Sequence, residues 1–279
     1  MVQSMKGKAR SAGARTVRQT LMNPTKIVFF DIDGTLVNPV NGLISARTNQ
    51  TLLRLRDRGI KLCISTGRAP SSMPDFGPLQ FDAFCTFNGS LCYAGEQVLH
   101  SNPISRADVA QVLKNADGIG RPVAVATRHR LAANGYDPDL ADYYRLAKLE
   151  LTVAPDFDAA LQEDIYQILL GCRPADFDAI VRDARGVKIA VSWDRAVDVI
   201  PADSGKGAAI GKILEHFGLD ASQALAFGDS QNDLEMLQVV GTGVAMGNAS
   251  APLKAVADDI CGPVAEDGIY HYCLDHGLI

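Results

Sequence analysis

The sequence predicts an α/β protein: a doubly wound, Rossmann-like parallel sheet interrupted by an inserted α+β unit. Two observations carry that expectation. In the first and last thirds of the chain, short apolar runs alternate with helical patterns, an order that gives parallel strands with helices on both faces. In between, from about residue 90 to 200, the apolar runs pair as hairpins separated by helical stretches. A third observation locates the chemistry. Four outer runs end in polar groups, and a doubly wound sheet binds ligands at the carboxyl ends of its strands.

The first strand is "KIVFF", residues 26–30, and a helix follows from about Ser45 to Arg58. Leu52, Leu53 and Leu55 share its apolar face, Ser45 can cap it, and Gly59 stops it. Strands "IKLCIST" and "DAFCTFNG" come next, separated by a Pro/Gly-rich stretch. Within the insertion, "SLCYAGEQVLHS" reads as a hairpin around Ala94-Gly95, "PVAVATRHRLAANG" as two strands and "VKIAVSWDRAVDVI" as another hairpin. Helical patterns at about 105–116, 138–147 and 174–184 separate them. After Pro201, a helix over 206–217 precedes the strand "ALAFGD", a helix over 231–238, the strand "TGVAM" and a last pair of helices. The expected division is therefore a basic, disordered leader over 1–21, a core over 22–89 and 201–279, and an insertion over 90–200.

A length of 279 residues and 47% hydrophobic content allow a sizeable core. The net charge of -5 is uneven: residues 1–21 hold Lys6, Lys8, Arg10, Arg15 and Arg18 with no acid, which leaves -10 for the rest. An acidic body argues against nucleic acid as the partner. No stretch of 18 uninterrupted apolar residues exists to span a membrane. The six cysteines form no C-x-x-C pair and read as reduced core residues of a cytoplasmic protein.

The polar strand ends are Asp31-x-Asp33, then Ser65-Thr66-Gly67-Arg68, then Asn88-Gly89, and in the last third Gly228-Asp229-Ser230-Gln231-Asn232-Asp233. If these strands are neighbours, three or four carboxylates meet at one edge. Left without countercharge such a cluster is untenable, whereas a hard, oxygen-seeking cation such as Mg²⁺ makes it sensible. Lys206, at a helix start between glycines, offers a second positive charge.

Together these segments resemble the haloacid dehalogenase (HAD) superfamily of phosphohydrolases. "FFDIDGTL" matches its strand-D-x-D-G-T signature, "ISTGR" its second motif, Lys206 its third and "AFGDSQNDLEM" its fourth. An insertion between the second and third motifs resembles the class with a C2-type cap, and "TGR" with "FNGS" resembles its Cof-type group. Ser204-Gly205 before Lys206 depart from that group, which often has Val two residues before the lysine, and are similar to sucrose-phosphate phosphatases.

The resemblance implies Asp31 as nucleophile, forming an aspartyl phosphate, and Asp33 as general acid and base, its proton retained by like-charge crowding. It implies Mg²⁺ on the Asp31 and Asp229 carboxylates and the Asp33 carbonyl, and phosphate contacts from Thr66, Gly67, Lys206 and Asn232. Asp233 supports, and Arg68, Asn88 and Gly89 meet the leaving group. The implied partner is a small phosphorylated metabolite, a sugar or cofactor phosphate, met by a monomer or homodimer. Asp33 favours ester hydrolysis, since the related ion-pumping ATPases carry Thr there. A phosphomutase or phosphotransferase and a non-catalytic phosphometabolite-binding module are the alternatives.

Overall fold

The computed structural model describes residues 25–191 and 193–279; the basic leader lies outside the described residues. The chain opens with β1 (Ile27–Phe30), β2 (Lys61–Ser65) and β3 (Ala83–Thr86), which lie parallel side by side. Every residue of β1 is fully buried, as expected of a strand covered on both faces. The helix Ala46–Asp57 crosses between β1 and β2, and the Ser45 Oγ accepts from the Thr48 amide at its start, at 3.0 Å.

After β3 the chain reverses. Asn88 at φ 53° and Gly89 at φ 101° turn it back, so β4 (Leu91–Ala94) and β5 (Gln97–Ser101) extend the same sheet antiparallel. This differs from the sequence reading, which gave this hairpin to the insertion. The left-handed Asn-Gly corner keeps β4 in register with β3, pairing Cys85 with Cys92 and burying Leu91 and Cys92. The unit that leaves the main sheet begins only after Ser101.

That unit builds its own antiparallel sheet from β6 (Val123–Thr127), β7 (Leu131–Ala133), β8 (Ile165–Gly171), β9 (Val187–Ala190) and β10 (Ala196–Pro201), in the order β7-β6-β8-β10-β9. Its central strand β8, "IYQILLG", is buried throughout. It escapes the sequence reading because a strand covered on both faces shows no alternation to find. The helical pattern at 174–184 shortens to a 3₁₀ turn and one α-turn, ending at Ile180. The helix Arg106–Gly118 packs on one face of this sheet. The other face rests on the main unit through a cluster that joins Ala69, Phe87 and Leu91 to Ala124, Ala126, Tyr166 and Leu169, with Phe87 stacked on Tyr166 at 5.2 Å.

The chain then returns to the main sheet as β11 (Ala224–Gly228), β12 (Thr242–Ala245) and β13 (Asp259–Ile260), giving eight strands in the order β13-β12-β11-β1-β2-β3-β4-β5. Winding runs outward from β1 in one direction and resumes at β11 in the other. The ends of β1 and β11 therefore flank the switch point where such folds open a crevice.

Gly89 shows how closely the two halves of the main unit meet. A Cβ there would lie 2.3 Å from the Gly205 carbonyl oxygen, and the residue holds a positive φ. Gly89→Ala is expected to cost on the order of 1–3 kcal/mol, a drop of a few degrees in Tm, read by thermal denaturation. An unchanged Tm would show that the 205 loop can retreat freely.

Candidate active site

The Asp31-to-Thr35 corner is a tight loop in which the amides of Leu36 and Val37 both donate to the Ile32 carbonyl. Each residue of the D-x-D-G-T run has a place in it. Gly34, at φ 86°, lies so close to Asp229 that a Cβ would approach its carboxylate to 2.3 Å. Thr35 Oγ1 donates to Asp229 Oδ1 at 3.1 Å. Asp31 and Asp229, at the ends of neighbouring strands, are thereby held against each other.

Beneath them lies Lys206, the first residue of the helix Lys206–Phe217 and fully buried. Its Nζ donates to Asp31 Oδ1 at 2.7 Å and to Asp233 Oδ1 at 2.6 Å. The other oxygen of Asp233 accepts from the amides of Asp229 and Ser230, both at 3.0 Å. Asp233 thus accepts three hydrogen bonds and locks both the lysine and the backbone that carries Asp229.

On the β2 side, the Thr66 carbonyl accepts the Asn88 amide, which ties the T-G-R corner to the F-N-G corner. Arg68 lines the cavity with its side chain already engaged. Its guanidinium forks onto Asp33, with Nε to Oδ2 at 2.8 Å and Nη2 to Oδ1 at 2.7 Å, and its Nη1 donates to the carbonyls of Ser72 and, across the units, Ala147. The like-charge neighbour expected at Asp33 is thus joined by a cation at contact distance. The sequence offered no sign of it, because the pair spans 35 residues.

Asn88 is buried below the cavity. It accepts from Asn232 Nδ2 at 2.9 Å and donates to Asp198 at 3.1 Å. Asp198 is a residue the sequence reading missed. It sits fully buried on β10, where Tyr143 Oη donates to it and the Gln167 amide adds a further bond. Burial pushes its carboxyl up to about 7, against the pull of those hydrogen bonds. A lone acid inside the apolar run "AVDVIP" was the signal available. The turn Arg128-His129-Arg130 does not line this cavity: Arg128 and His129 are exposed, and Arg130 is half-buried and paired to Asp156 and Glu163.

These groups open on a cavity of about 430 Å³ between the two units. Asp31, Asp33, Thr66, Gly67, Arg68, Asp229 and Asn232 line its floor. Lys206, Asp233 and Asn88 stand just behind it, and Gly89 lies away from it against Gly205. Asp31 Oδ atoms, Asp229 and Asp233 bring carboxylate oxygens within 4.8 Å of one another. Burial, with the neighbouring acids adding to it, pushes Asp31 up to about 7 and Asp229 up to about 8. Burial alone would lower Lys206, but Asp233 and Asp31 together hold it above its ordinary value. One lysine among three acids leaves the cluster short of positive charge, and every donor is a hard oxygen. The set fits a hard divalent cation on Asp31 and Asp229, with Asp233 already committed elsewhere.

The haloacid dehalogenase-like hydrolase family model matches residues 28–273. YkrA, a candidate phosphatase of Bacillus subtilis (strain 168), is 33% identical over 260 residues, which cover 91% of this chain and 99% of that one. An HMP-PP phosphatase of Shigella flexneri serotype 5b (strain 8401) is 32% identical, over 91% and 96% of the two chains. A solved sugar phosphatase of HAD subclass IIB superposes with a TM-score of 0.85 at 28% identity, over 91% of this chain and 100% of that one.

The raised carboxyls set a pH dependence. In the metal-free folded chain Asp31 and Asp229 keep protons up to about 7 and 8, whereas the unfolded chain releases them near pH 4. The folded state therefore binds more protons across that window, and its stability falls as pH rises from about 4 to about 8. A bound cation supplies the missing charge, so added Mg²⁺ should raise Tm more at pH 8 than at pH 5.5 and release protons on binding. Equal Mg²⁺ shifts at both pH values, read by thermal denaturation, would contradict the assignment.

Proposed function

The chain belongs to the haloacid dehalogenase-like hydrolases and is a phosphatase, and on that premise we propose that it hydrolyses small phosphate monoesters through Asp31, with Asp33 as acid and base. The observation that carries this reading is Asp31 on the cavity floor, one oxygen fastened by Lys206 and the other left for bond formation. An Asp31 oxygen attacks phosphorus as the ester P–O bond breaks, and Asp33 gives its proton to the departing oxygen. Asp33 then takes a proton from water. That water's oxygen attacks the aspartyl phosphate and frees Asp31 and inorganic phosphate.

Lys206 would balance the charge that builds on the transferring group, helped by the Thr66 hydroxyl, the Gly67 amide and the Asn232 side chain. Asp233 keeps that lysine aimed. Mg²⁺, held by the Asp31 and Asp229 carboxylates and the Asp33 carbonyl, would neutralise phosphate charge and fix its orientation. Arg68 holds Asp33 in the free protein. An arriving phosphate competes for that guanidinium, and opening the pair leaves Asp33 free for proton transfer.

The unit from Asn102 to Pro201 acts in this reading as a cap whose closure excludes water. Among the described residues no helix is long and apolar enough to cross a membrane. Six cysteines without a disulfide suit the reducing cytoplasm.

The test is phosphate release from p-nitrophenyl phosphate with Mg²⁺. EDTA should abolish it, and Asp31→Asn should be inert. Asp33→Asn should lose about 10²–10⁴-fold while still accepting phosphate slowly. Retention of a tenth of wild-type activity by Asp31→Asn would rule out the covalent route.

A further inference from the structure

Unlike a lysine or a backbone amide, the Asn232 side chain is a donor at one end and an acceptor at the other. Asn232 lines the cavity, yet its Oδ1 is buried and has no partner among the described residues. The amide nitrogen is therefore the polar end that can meet an anion. A side-chain amide is nearly symmetric in shape, so hydrogen-bond partners decide which end lies where. For Asn232 that partner is Asn88, whose Oδ1 accepts from Nδ2 at 2.9 Å.

The sense of Asn88 is set one step further back. Asn88 is buried, at 2% exposure, and its Nδ2 donates to Asp198 Oδ2 at 3.1 Å. Asp198, at 1% exposure, also receives the Tyr143 hydroxyl and the Gln167 amide. Three donors on one carboxyl suit the ionised group, which accepts and never donates. That carboxylate demands the nitrogen of Asn88, which turns the Asn88 carbonyl to Asn232, and the carbonyl in turn demands the nitrogen of Asn232. Packing does not make this choice. A Cβ on Gly67 would lie 3.2 Å from either end of the Asn88 amide, so the contact there does not tell the two ends apart.

Building on the phosphatase reading, we propose that Asp198 is a positioning residue for phosphate binding: through Asn88, its carboxylate holds Asn232 with an N–H, not a carbonyl, toward the phosphate. A neutral group in its place frees the series. Asn88 then reverses, its nitrogen meets Asn232, and Asn232 presents a carbonyl oxygen where it now has a donor. That oxygen repels the phosphate. Protonation acts like replacement, since a carboxylic acid donates to the Asn88 carbonyl. Burial raises this acid, against the bonds from Tyr143, Asn88 and Gln167 and the pull of Lys206, and it titrates at about 7. Tyr143 and Lys206 are the titratable side chains that bear on it, and Lys206 is held above its ordinary value and stays charged.

The test measures KM for p-nitrophenyl phosphate and the inhibition constant of inorganic phosphate, with saturating Mg²⁺. At pH 8 Asp198→Asn should raise both by about three- to tenfold, the size of one neutral hydrogen bond. Turnover should barely change, as for a contact made equally in ground and transition states. At pH 5.5 the wild-type acid carries its proton, so the two proteins should differ by less than about twofold. A fault of packing would persist at both pH values. In an Asn232→Ala background Asp198→Asn should have no further effect on either constant, since the contact it steers is gone. Asn88→Ala cuts the series at its middle and should give a loss at pH 8 that shrinks at pH 5.5; it decides the matter where Asp198→Asn does not fold. Equal constants at pH 8, a loss of the same size at both pH values, or a loss that survives in the Asn232→Ala background overturns the proposal. Failure of the wild type to release phosphate overturns the phosphatase reading instead. Calorimetric binding of inorganic phosphate to the wild type and to Asp198→Asn at pH 8 then decides, with equal affinity, or no binding by either, counting against the role of Asp198.

Discussion

Lys206 is the interaction on which the site depends. Three carboxylates meet at the ends of β1 and β11, and without a cation among them the strand ends would be forced apart or protonated. Its ammonium, with no exposed surface, sits between Asp31 and Asp233 at 2.7 and 2.6 Å. Removing one partner of such a buried set leaves an uncompensated charge, which costs about 3–5 kcal/mol. The same contacts fasten the start of the helix Lys206–Phe217 to two strands that follow each other only after nearly 200 residues. They therefore fix the return of the chain from the second unit as well as the position of Asp31. The lysine cannot neutralise all three acids, and that residual deficit is what would let the crevice hold a hard cation.

What the sequence reveals follows from where the information is local. Asp31 through Thr35 announce themselves because each residue meets a need within a few residues of its neighbours: a strand end, a positive φ at Gly34, a hydroxyl for Asp229. The outer strands and the helix over 206–217 are equally plain, since their apolar patterns are short and bounded by turn residues. Three things were not readable. The β4–β5 hairpin looks the same whether it extends the main sheet or founds a new one, and only the left-handed corner at Asn88-Gly89 decides. The strand β8 is buried on both faces and, apart from Gln167, apolar throughout, so no period marks it. The Arg68–Asp33 fork and the Asp198 network join residues far apart in the chain. Charge type is visible in a sequence, but the partner of a charge is not.

Asp198 shows how the two units are read against each other. From β10 it accepts from Asn88 of the main unit and Tyr143 of its own, while Asn88 in turn accepts from Asn232 on the cavity floor. A polar chain thus runs from the cap sheet through the third strand end to the fourth motif. Around it lies the apolar contact of Phe87 with Tyr166. The apolar contact supplies adhesion without direction, whereas the hydrogen bonds accept one orientation only, which is how buried polar networks define a register.

The division of labour in the cavity has an electrostatic consequence. Among the described residues that line it, the floor supplies all the charge and the roof supplies none. An apolar roof over charged groups lowers the local dielectric, and a Coulomb interaction that is weak in water grows several-fold there. The leucine-lined wall therefore strengthens the hold of Lys206 on Asp31 and of Arg68 on Asp33. It does so without placing a competing charge near the phosphate. A roof rich in carboxylates and amides would give up part of that advantage, since each polar group and its water would screen the floor. An apolar roof and a field concentrated on the charged floor are thus two results of one surface.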